Sequence, residues 1–223
     1  MTTPLRLCSE ELQRKLLGIP DRYVNAAPEK IKNPALRALV MKYLTTEWNE
    51  IGAGKRYGLA LFGPNGTGKT WSLCAMLSAL VGSGRVRSGR FVQAVDFVRL
   101  GNPMAKVDLG QAAYVDERTY CQFFKETPAL VISDLGKEDR RGKFSDLAPF
   151  VLGEVLRARS QSRLLTYVDT NLSMATEGEN TILNVYGTSV YDLFLETMVS
   201  VRVTNKGPSL REAQNDAIKG KLL

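Results

Sequence analysis

Residues 59–70 decide the fold of this chain, and they read Leu59-Ala60-Leu61-Phe62-Gly63-Pro64-Asn65-Gly66-Thr67-Gly68-Lys69-Thr70. An apolar strand here runs into G-x-x-x-x-G-K-T, the pattern of a loop that binds the phosphates of a nucleoside triphosphate. The glycines of the pattern let the backbone turn tightly and aim its N–H groups at a polyphosphate. Lys69 is expected to reach the β and γ phosphates, and the Thr70 hydroxyl to bind Mg²⁺.

The residues after the loop support the same interpretation. From Thr70 to Leu80, apolar side chains recur at helical spacing, so the loop opens a helix whose positive dipole end faces the anion. The alternative, a glycine-rich turn that merely ends in Lys-Thr, is disfavoured because a strand precedes the loop and a helix follows it. The residues expected to contact the nucleotide are Gly63, Pro64, Asn65, Gly66, Thr67, Gly68, Lys69, Thr70 and Trp71.

The composition is that of one ordinary globular domain. The chain has 223 residues, of which 44% are hydrophobic and 24% are charged, enough for one α/β domain with a full core. No apolar run approaches the length of a membrane span, and the lack of histidine excludes histidine metal ligands and histidine general bases. Three scattered cysteines indicate reduced thiols and a cytoplasmic location. The net charge of +7 favours a polyanionic partner; a merely basic soluble protein is the alternative.

Helices and strands alternate along the chain, so the sequence predicts a mostly parallel sheet covered on both faces. A helix is expected to begin at Asn33-Pro34 and to reach Glu50. Asp96 is expected to cap a helix, and Phe123 and Phe124 are expected in the core. The other predicted elements are helices over residues 9–17, 114–126, 144–159 and 189–199, strands over 91–95, 129–134, 164–168 and 200–204, and a loop over 101–113.

Two further polar residues end predicted strands. Asp134 ends a buried strand, and Asn171 follows the next strand along the chain. A phosphate-binding loop needs a neighbouring carboxylate that holds Mg²⁺ through water and helps to orient the attacking water. Asn171 is expected to sense the γ phosphate or to position water, the alternative being an ordinary turn residue. The predicted catalytic residues are Lys69, Asp134 and Asn171, and the predicted metal ligands are Thr70 and Asp134.

Together these residues resemble the DnaC/IstB-like branch of the AAA+ ATPases, the helicase loaders and transposition helpers. The matching segments are Gly18-Ile19-Pro20-Asp21-Arg22-Tyr23, the phosphate loop, Ser133-Asp134-Leu135-Gly136, Thr170-Asn171-Leu172 and Gly207-Pro208-Ser209-Leu210-Arg211. The resemblance implies a P-loop NTPase (AAA+) fold, a three-layer α/β sandwich with a mostly parallel central sheet. It further implies ATP and Mg²⁺ as cofactors, a contact of Arg211 with the nucleotide, and ATP-driven oligomers that engage DNA and hand over a helicase or a transposase.

The chain departs from this family in its catalytic residues. Ser133 stands at the first, metal-organising position of the two acidic residues that the family usually has after the strand. Residues 171–201 contain no Lys or Arg. In this family each subunit usually contributes an arginine to the nucleotide site of its neighbour, and Leu193 stands at the position expected for that arginine. The chain is therefore expected to retain nucleotide binding more fully than ATP hydrolysis. The other sources of such an arginine are a partner protein or one of Arg157, Arg159 and Arg163.

A further departure lies at the N-terminus. Loaders of the DnaC kind carry an N-terminal segment that grips the helicase, whereas only 17 residues precede Gly18 here. A surface that binds a partner is therefore expected in the short helix over residues 9–17 or on the ATPase domain itself. Docking of that helix within the same fold is the alternative.

A basic cluster follows the Asp134 strand and is the main candidate for DNA binding. It consists of Lys137, Arg140, Arg141 and Lys143. In a ring or spiral assembly, as the resemblance implies, this loop would face the central channel and give salt-dependent binding to phosphates. Glu138 and Asp139 dilute the cluster, and a solvated surface loop is the alternative.

The sequence thus predicts an AAA+ ATP-binding protein, an ATPase that is slow or partner-dependent. It is expected to form homo-oligomers through the ATP site on DNA, mainly single-stranded, and to load or regulate a DnaB-like replicative helicase, as would suit a phage or mobile element. The alternatives are a transposition helper that delivers a transposase, and a nucleotide-gated interaction module with weak hydrolysis. The predicted organisation is an N-terminal helix and nucleotide-flanking segment over residues 1–32, an ATPase core over 33–204 and a tail over 205–223.

Overall fold

Five parallel strands form the central sheet. The structure is a computed structural model that describes residues 7–46, 57–101, 120–138 and 147–204. The strands in these ranges are β1 (Gly58–Phe62), β2 (Gly89–Gln93), β3 (Ala129–Leu135), β4 (Leu165–Thr170) and β5 (Met198–Arg202). Their order across the sheet is β2-β3-β4-β1-β5, and each pair of neighbours is parallel. The predicted parallel sheet is confirmed.

Helices connect the strands on both faces of the sheet. Those in the described ranges are α1 (Glu10–Lys15), α2 (Pro34–Thr45), α3 (Lys69–Gly82), α4 (Ala94–Gly101), α5 (Tyr120–Glu126), α6 (Leu147–Gln161), α7 (Ile182–Tyr186) and α8 (Thr188–Thr197). Among them, no helix has both the length and the apolar character needed to cross a lipid bilayer. Because parallel neighbours need long crossovers, each strand returns to the same end of the sheet through a helix or a long connection.

Two apolar cores make the molecule a three-layer sandwich. On one face, α2 and α3 pack against the sheet around residues such as Leu73 and Leu77. On the other face, α4, α6 and α8 pack around residues such as Phe97, Val155 and Phe194. The sheet is therefore buried on both sides, as its continuous apolar runs predict. The predicted three-layer α/β class is confirmed.

The helix predicted to begin at Asn33-Pro34 starts as expected. Asn33 Oδ1 accepts a hydrogen bond from the Leu36 N–H at 3.2 Å, and Pro34 occupies the first helical position, where its missing N–H costs nothing. Helix α2 ends at Thr45, and the Thr46 hydroxyl donates to the Lys42 carbonyl at 2.7 Å. The remainder of the prediction, up to Glu50, lies outside the described residues.

Two local predictions were wrong. Helix α4 begins at Ala94, so Asp96 lies inside its first turn instead of capping it. There Asp96 forms an ion pair with Arg99 at 3.0 Å, as an acidic residue near a helix start favours. Phe123 is 42% exposed whereas Phe124 is 1% exposed. Consecutive residues of a helix point about 100° apart, so only Phe124 faces the core.

The segment before α2 belongs to the same core as the sheet. Leu17 and Ile19 are buried in the α3-side core, and the Phe91 N–H donates to the Leu17 carbonyl at 2.6 Å. This bond ties the segment to β2, an edge strand, and covers part of an otherwise unpaired edge. The division of the chain at residue 32 stays a prediction about domains.

Candidate nucleotide site

The site lies at the carboxyl ends of the three central strands. The phosphate loop leaves β1 and enters α3, while β3 and β4 end beside it. Ligands of open parallel sheets bind at this end. The pocket here is lined by Tyr23, Asn65, Gly66, Thr67, Gly68, Lys69, Thr70, Trp71, Asp134 and Asp169. Most of the residues predicted to bind the nucleotide are therefore brought together.

The loop backbone turns as the sequence pattern requires. Gly63 has φ +137° and Gly68 has φ +90°, angles that side chains disfavour. A Cβ atom on Gly63 would lie 2.2 Å from the Val203 carbonyl oxygen, so this position also needs glycine for space. Gly68 is the residue before α3, so the loop delivers its N–H groups to the start of that helix, the part that attracts anions.

Lys69 is held inside the loop by three acceptors. Its Nζ donates to the carbonyl oxygens of Gly63 and Pro64, each at 2.7 Å, and to Asn171 Oδ1 at 3.2 Å. Asn171 Nδ2 in turn donates to Asn65 Oδ1 at 2.9 Å. The end of β4 is thereby connected to both the lysine and the tip of the loop. The structure places the predicted residues Lys69 and Asn171 in direct contact.

Asp134 stands on a distorted stretch at the end of β3. Its φ is +60°, in the left-handed region that few residues other than glycine adopt and in which aspartate is enriched. The carboxylate is partly exposed toward the pocket and forms an ion pair with Lys137 Nζ at 2.5 Å. Asp134 therefore faces the nucleotide site, as predicted, while Lys137 of the basic cluster is drawn toward it.

Asp169 is a site residue that sequence reasoning missed. It lies on β4, is 1% exposed, and still lines the pocket. Its carboxylate accepts from Ser133 Oγ at 2.8 Å and from the Asp134 N–H at 2.9 Å. Burial raises the pKa of Asp169, and these two hydrogen bonds and the Lys69 charge oppose that rise. The available signal was a carboxylate inside a continuously buried strand, which is rare without a function or a partner.

An aromatic wall completes the pocket. Tyr23, on a 3₁₀ turn of the N-terminal segment, meets the Trp71 ring edge to face with centroids 6.4 Å apart. The Arg22 guanidinium lies 4.6 Å from the centre of the Tyr23 ring, within the range of a cation–π contact. Trp71 belonged to the predicted site, whereas Tyr23 did not.

Arg159, one of the arginines considered as a substitute for the missing catalytic arginine, is a structural residue. It is 1% exposed. Its guanidinium donates to Thr166 Oγ1 at 2.8 Å and to three backbone carbonyls, those of Phe124, Thr127 and Leu165. Burial lowers the pKa of Arg159 to about 9, which leaves it charged at neutral pH. An arginine enclosed in this way cannot reach a neighbouring subunit, so Arg159 is excluded from the three arginines considered.

The remaining predicted residues divide into two groups. Arg140, Arg141, Lys143 and Arg211 lie outside the described residues. Glu138, expected to dilute the basic cluster, is buried and turned inward, where its carboxylate accepts from the Tyr186 hydroxyl and from the Gly136 N–H. Its carboxylate is thus engaged within the fold.

The residues of the site fit a magnesium nucleotide. No three His, Cys, Asp or Glu side chains group as a metal site anywhere in the described ranges. Mg²⁺ beside a nucleotide usually takes one or two carboxylates together with phosphate oxygens and waters. Thr70, Asp134 and Asp169 surround the same pocket and offer a donor set of that kind.

Comparison with known proteins shows which proteins this chain is similar to. No protein-family model matches the chain. The replicative helicase loader DnaI of Bacillus subtilis (strain 168) is 31% identical over 166 residues, which are 73% of this chain and 47% of DnaI. The chain thus spans about half the length of this curated relative.

Solved structures show the same fold. The crystal structure of DnaI matches with a TM-score of 0.61 at 21% identity, over 90% of this chain and 100% of that one. The DnaC helicase loader matches with a TM-score of 0.62 at 21% identity, over 83% of this chain and 100% of that one. The sequence match and the shared fold confirm the resemblance seen in the sequence: this chain has the fold of AAA+ P-loop proteins and is similar to helicase loaders of the DnaI and DnaC kind.

Proposed function

We propose that this protein is an ATP-dependent loader or regulator of a replicative helicase in DNA replication. The observation that carries the proposal is a complete phosphate loop joined to a strand-end asparagine, Lys69 to Asn171 at 3.2 Å, in a chain 31% identical to DnaI. A DnaB-like helicase is the expected partner, and the cytoplasm, where such a helicase meets DNA, is the expected location.

The loop residues have distinct roles in binding ATP. Lys69 exchanges the Gly63 and Pro64 carbonyls for phosphate oxygens, which are better acceptors because they are charged. Asn171, already hydrogen-bonded to Lys69, contacts the γ phosphate and so couples its presence to the end of β4. Tyr23 and Trp71 offer flat surfaces to the base. Arg211 is proposed to contact the nucleotide from the C-terminal side.

Thr70 and Asp134 are the proposed ligands of the nucleotide's metal, the latter through water. Mg²⁺, when bound, neutralises phosphate charge and orients the γ phosphate for attack. Asp134 then orients the attacking water, for which it must loosen its ion pair with Lys137. We expect hydrolysis, although slow or dependent on a partner.

A second function, a nucleotide-gated interaction module with weak turnover, is favoured by a specific observation. Residues 171–201 contain no Lys or Arg, Leu193 is buried, and Arg159 is committed to the fold. An arginine finger contributes roughly 10³–10⁵-fold in rate. Arg157, Arg163 or a partner protein must supply one if turnover is to be fast.

DNA binding is proposed for the basic cluster of Lys137, Arg140, Arg141 and Lys143. The net charge of +7 supports it, because phosphate contacts dominate affinity for nucleic acids. Single-stranded DNA is the preferred form in this proposal, bound by a homo-oligomer assembled through the ATP sites. Affinity should fall steeply with salt if the cluster contacts phosphates.

Nucleotide binding is tested first, by titrating a fluorescent ATP analogue. Lys69→Ala should abolish saturable binding, because the loop loses the ammonium group buried within it. Lys15→Ala is the matched control: that lysine side chain is 74% exposed and pairs with Glu11 on α1, away from the loop. A wild-type protein that shows no affinity for ATP would refute the proposal.

Partner and turnover are tested next. Purified replicative helicase and, in parallel, a transposase are mixed with the protein, ATP and single-stranded DNA, and complexes are measured by mass. A complex with the helicase supports loading, and a complex with only the transposase supports the transposition-helper alternative. DNA-stimulated hydrolysis that is lost in Asp134→Ala would reject the weak-turnover module.

A further inference from the structure

A hydroxyl and a carboxylate from two neighbouring strands pair with each other beside the phosphate loop. The family that this chain resembles has an acidic residue where β3 carries Ser133. Here Ser133 Oγ donates to Asp169 Oδ2 at 2.8 Å, across to β4. The serine and the carboxylate therefore form one pair, and the negative charge of that pair lies on β4.

A bulge in β3 fixes this pair. The register runs from Ile132 opposite Val168 to Leu135 opposite Thr170, so two residues of β3 face the single residue Asp169. Bulges of this kind re-aim side chains next to sites. Both bulge residues bond to the same carboxylate, Ser133 through its hydroxyl and Asp134 through its N–H.

Asp169 borders the pocket, and its carboxylate keeps capacity for another donor. It lines the pocket together with Lys69 and Thr70, although only 1% of the residue is exposed. An ionised carboxylate has about four lone-pair sites, and the two hydrogen bonds described above use two of them. Water molecules bound to a metal are donors that would suit the others.

We propose that Asp169, in addition to Thr70 and Asp134, positions the magnesium ion of the nucleotide, by accepting hydrogen bonds from metal-bound water. It takes the place that Ser133 leaves without a charge, while Asp134 remains available to the attacking water. The inference rests on the proposed function, since it assumes that the pocket binds a magnesium nucleotide.

The competing explanation is purely structural. In that view Asp169 serves only the bulge, where it accepts the Asp134 N–H. The two explanations differ in one measurable quantity, the factor by which Mg²⁺ strengthens ATP binding. A structural role affects stability and the geometry of the whole loop, and therefore binding with and without the metal alike.

The experiment measures the affinity for a fluorescent ATP analogue in Mg²⁺ and in EDTA, with thermal unfolding of each variant. Asp169→Asn keeps the shape and one acceptor oxygen. We expect its magnesium-dependent gain in affinity to fall about tenfold or more, as for other residues that orient metal ligands, with affinity in EDTA nearly unchanged. Asp192→Asn, on exposed α8 surface, is the matched control.

The double variant Ser133→Asp with Asp169→Ser returns the carboxylate to β3. We expect it to recover most of the magnesium-dependent gain, whereas Asp169→Ser alone does not. A folded Asp169→Asn protein with the wild-type gain would overturn the inference, as would a folded double variant with no recovery. Failure of both variants to fold would also count against the inference, because it would show that the Asp169 carboxylate is needed for folding.

The outcome for the proposed function is separate. A wild-type chain that binds no nucleotide in either buffer refutes that function itself. If Mg²⁺ raises the affinity of the wild type for the ATP analogue, and raises that of Asp169→Asn by the same factor, only the role of Asp169 is refuted.

Discussion

Replacing the buried Arg159 tests whether it belongs to the fold and not to the catalytic machinery. Its guanidinium joins α5 and β4 through three backbone carbonyls and one hydroxyl. Arg159→Ala leaves these acceptors buried without donors, at about 1–3 kcal/mol for each carbonyl. Removing the buried charge returns several kcal/mol of desolvation. The expected net loss in free energy of unfolding is about 3 kcal/mol.

Urea unfolding followed by circular dichroism measures this loss. With an m-value of about 3 kcal/mol per molar, the midpoint should fall by about 1 M. Arg157→Ala is the control on the same helix, because that side chain is 57% exposed and its one ion pair within the described residues joins it to Glu154 at 3.9 Å. That variant should change stability by less than about 0.5 kcal/mol. An Arg159→Ala protein as stable as the wild type, with impaired ATP turnover only, would refute the assignment.

Three further predictions concern the loop, a buried charge and the thiols. Gly63→Ala should lose about 2 kcal/mol or more in urea unfolding, because the new Cβ meets the Val203 carbonyl at 2.2 Å; unchanged stability would contradict the backbone geometry. Tyr186→Phe removes the hydroxyl that donates to the buried Glu138 carboxylate and should cost about 1–3 kcal/mol, and an unshifted melting temperature would argue against that contact. Burial raises the pKa of all three cysteines, which leaves less thiolate at pH 8, so a thiol reagent should react only on unfolding; rapid labelling of the native protein would contradict their burial.

The sequence predicted the phosphate loop and α3 because both depend on local chemistry. Glycine positions, a terminal Lys-Thr and helical spacing are all properties of adjacent residues. The helix start at Asn33-Pro34 was predictable for the same reason. A local rule failed at Asp96, because an aspartate is favoured both as a helix cap and in the first helical turn. Helix α4 begins at Ala94, directly after β2, and this places Asp96 in the first turn.

Asp169 and Arg159 escaped prediction because their roles depend on which strands lie side by side. Ser133 and Asp169 are separated by 36 positions, and only the pairing of β3 with β4 brings them together. Arg159 resembles its exposed neighbour Arg157 in sequence and differs only in the direction that it takes from α6. Charge on a helix usually indicates a solvated face, so burial of one such residue is visible only in the packed structure.

The strand order has a consequence for folding during synthesis. β1 carries the phosphate loop, but its neighbours in the sheet are β4 and β5, made about 100 residues later or more. At roughly 5–20 residues per second, the ribosome releases the loop several seconds before any strand can pair with β1. The native site, which includes Asn171 at the end of β4, therefore cannot form before β4 is made, and a chain interrupted before β4 will contain the whole phosphate-loop sequence without that site.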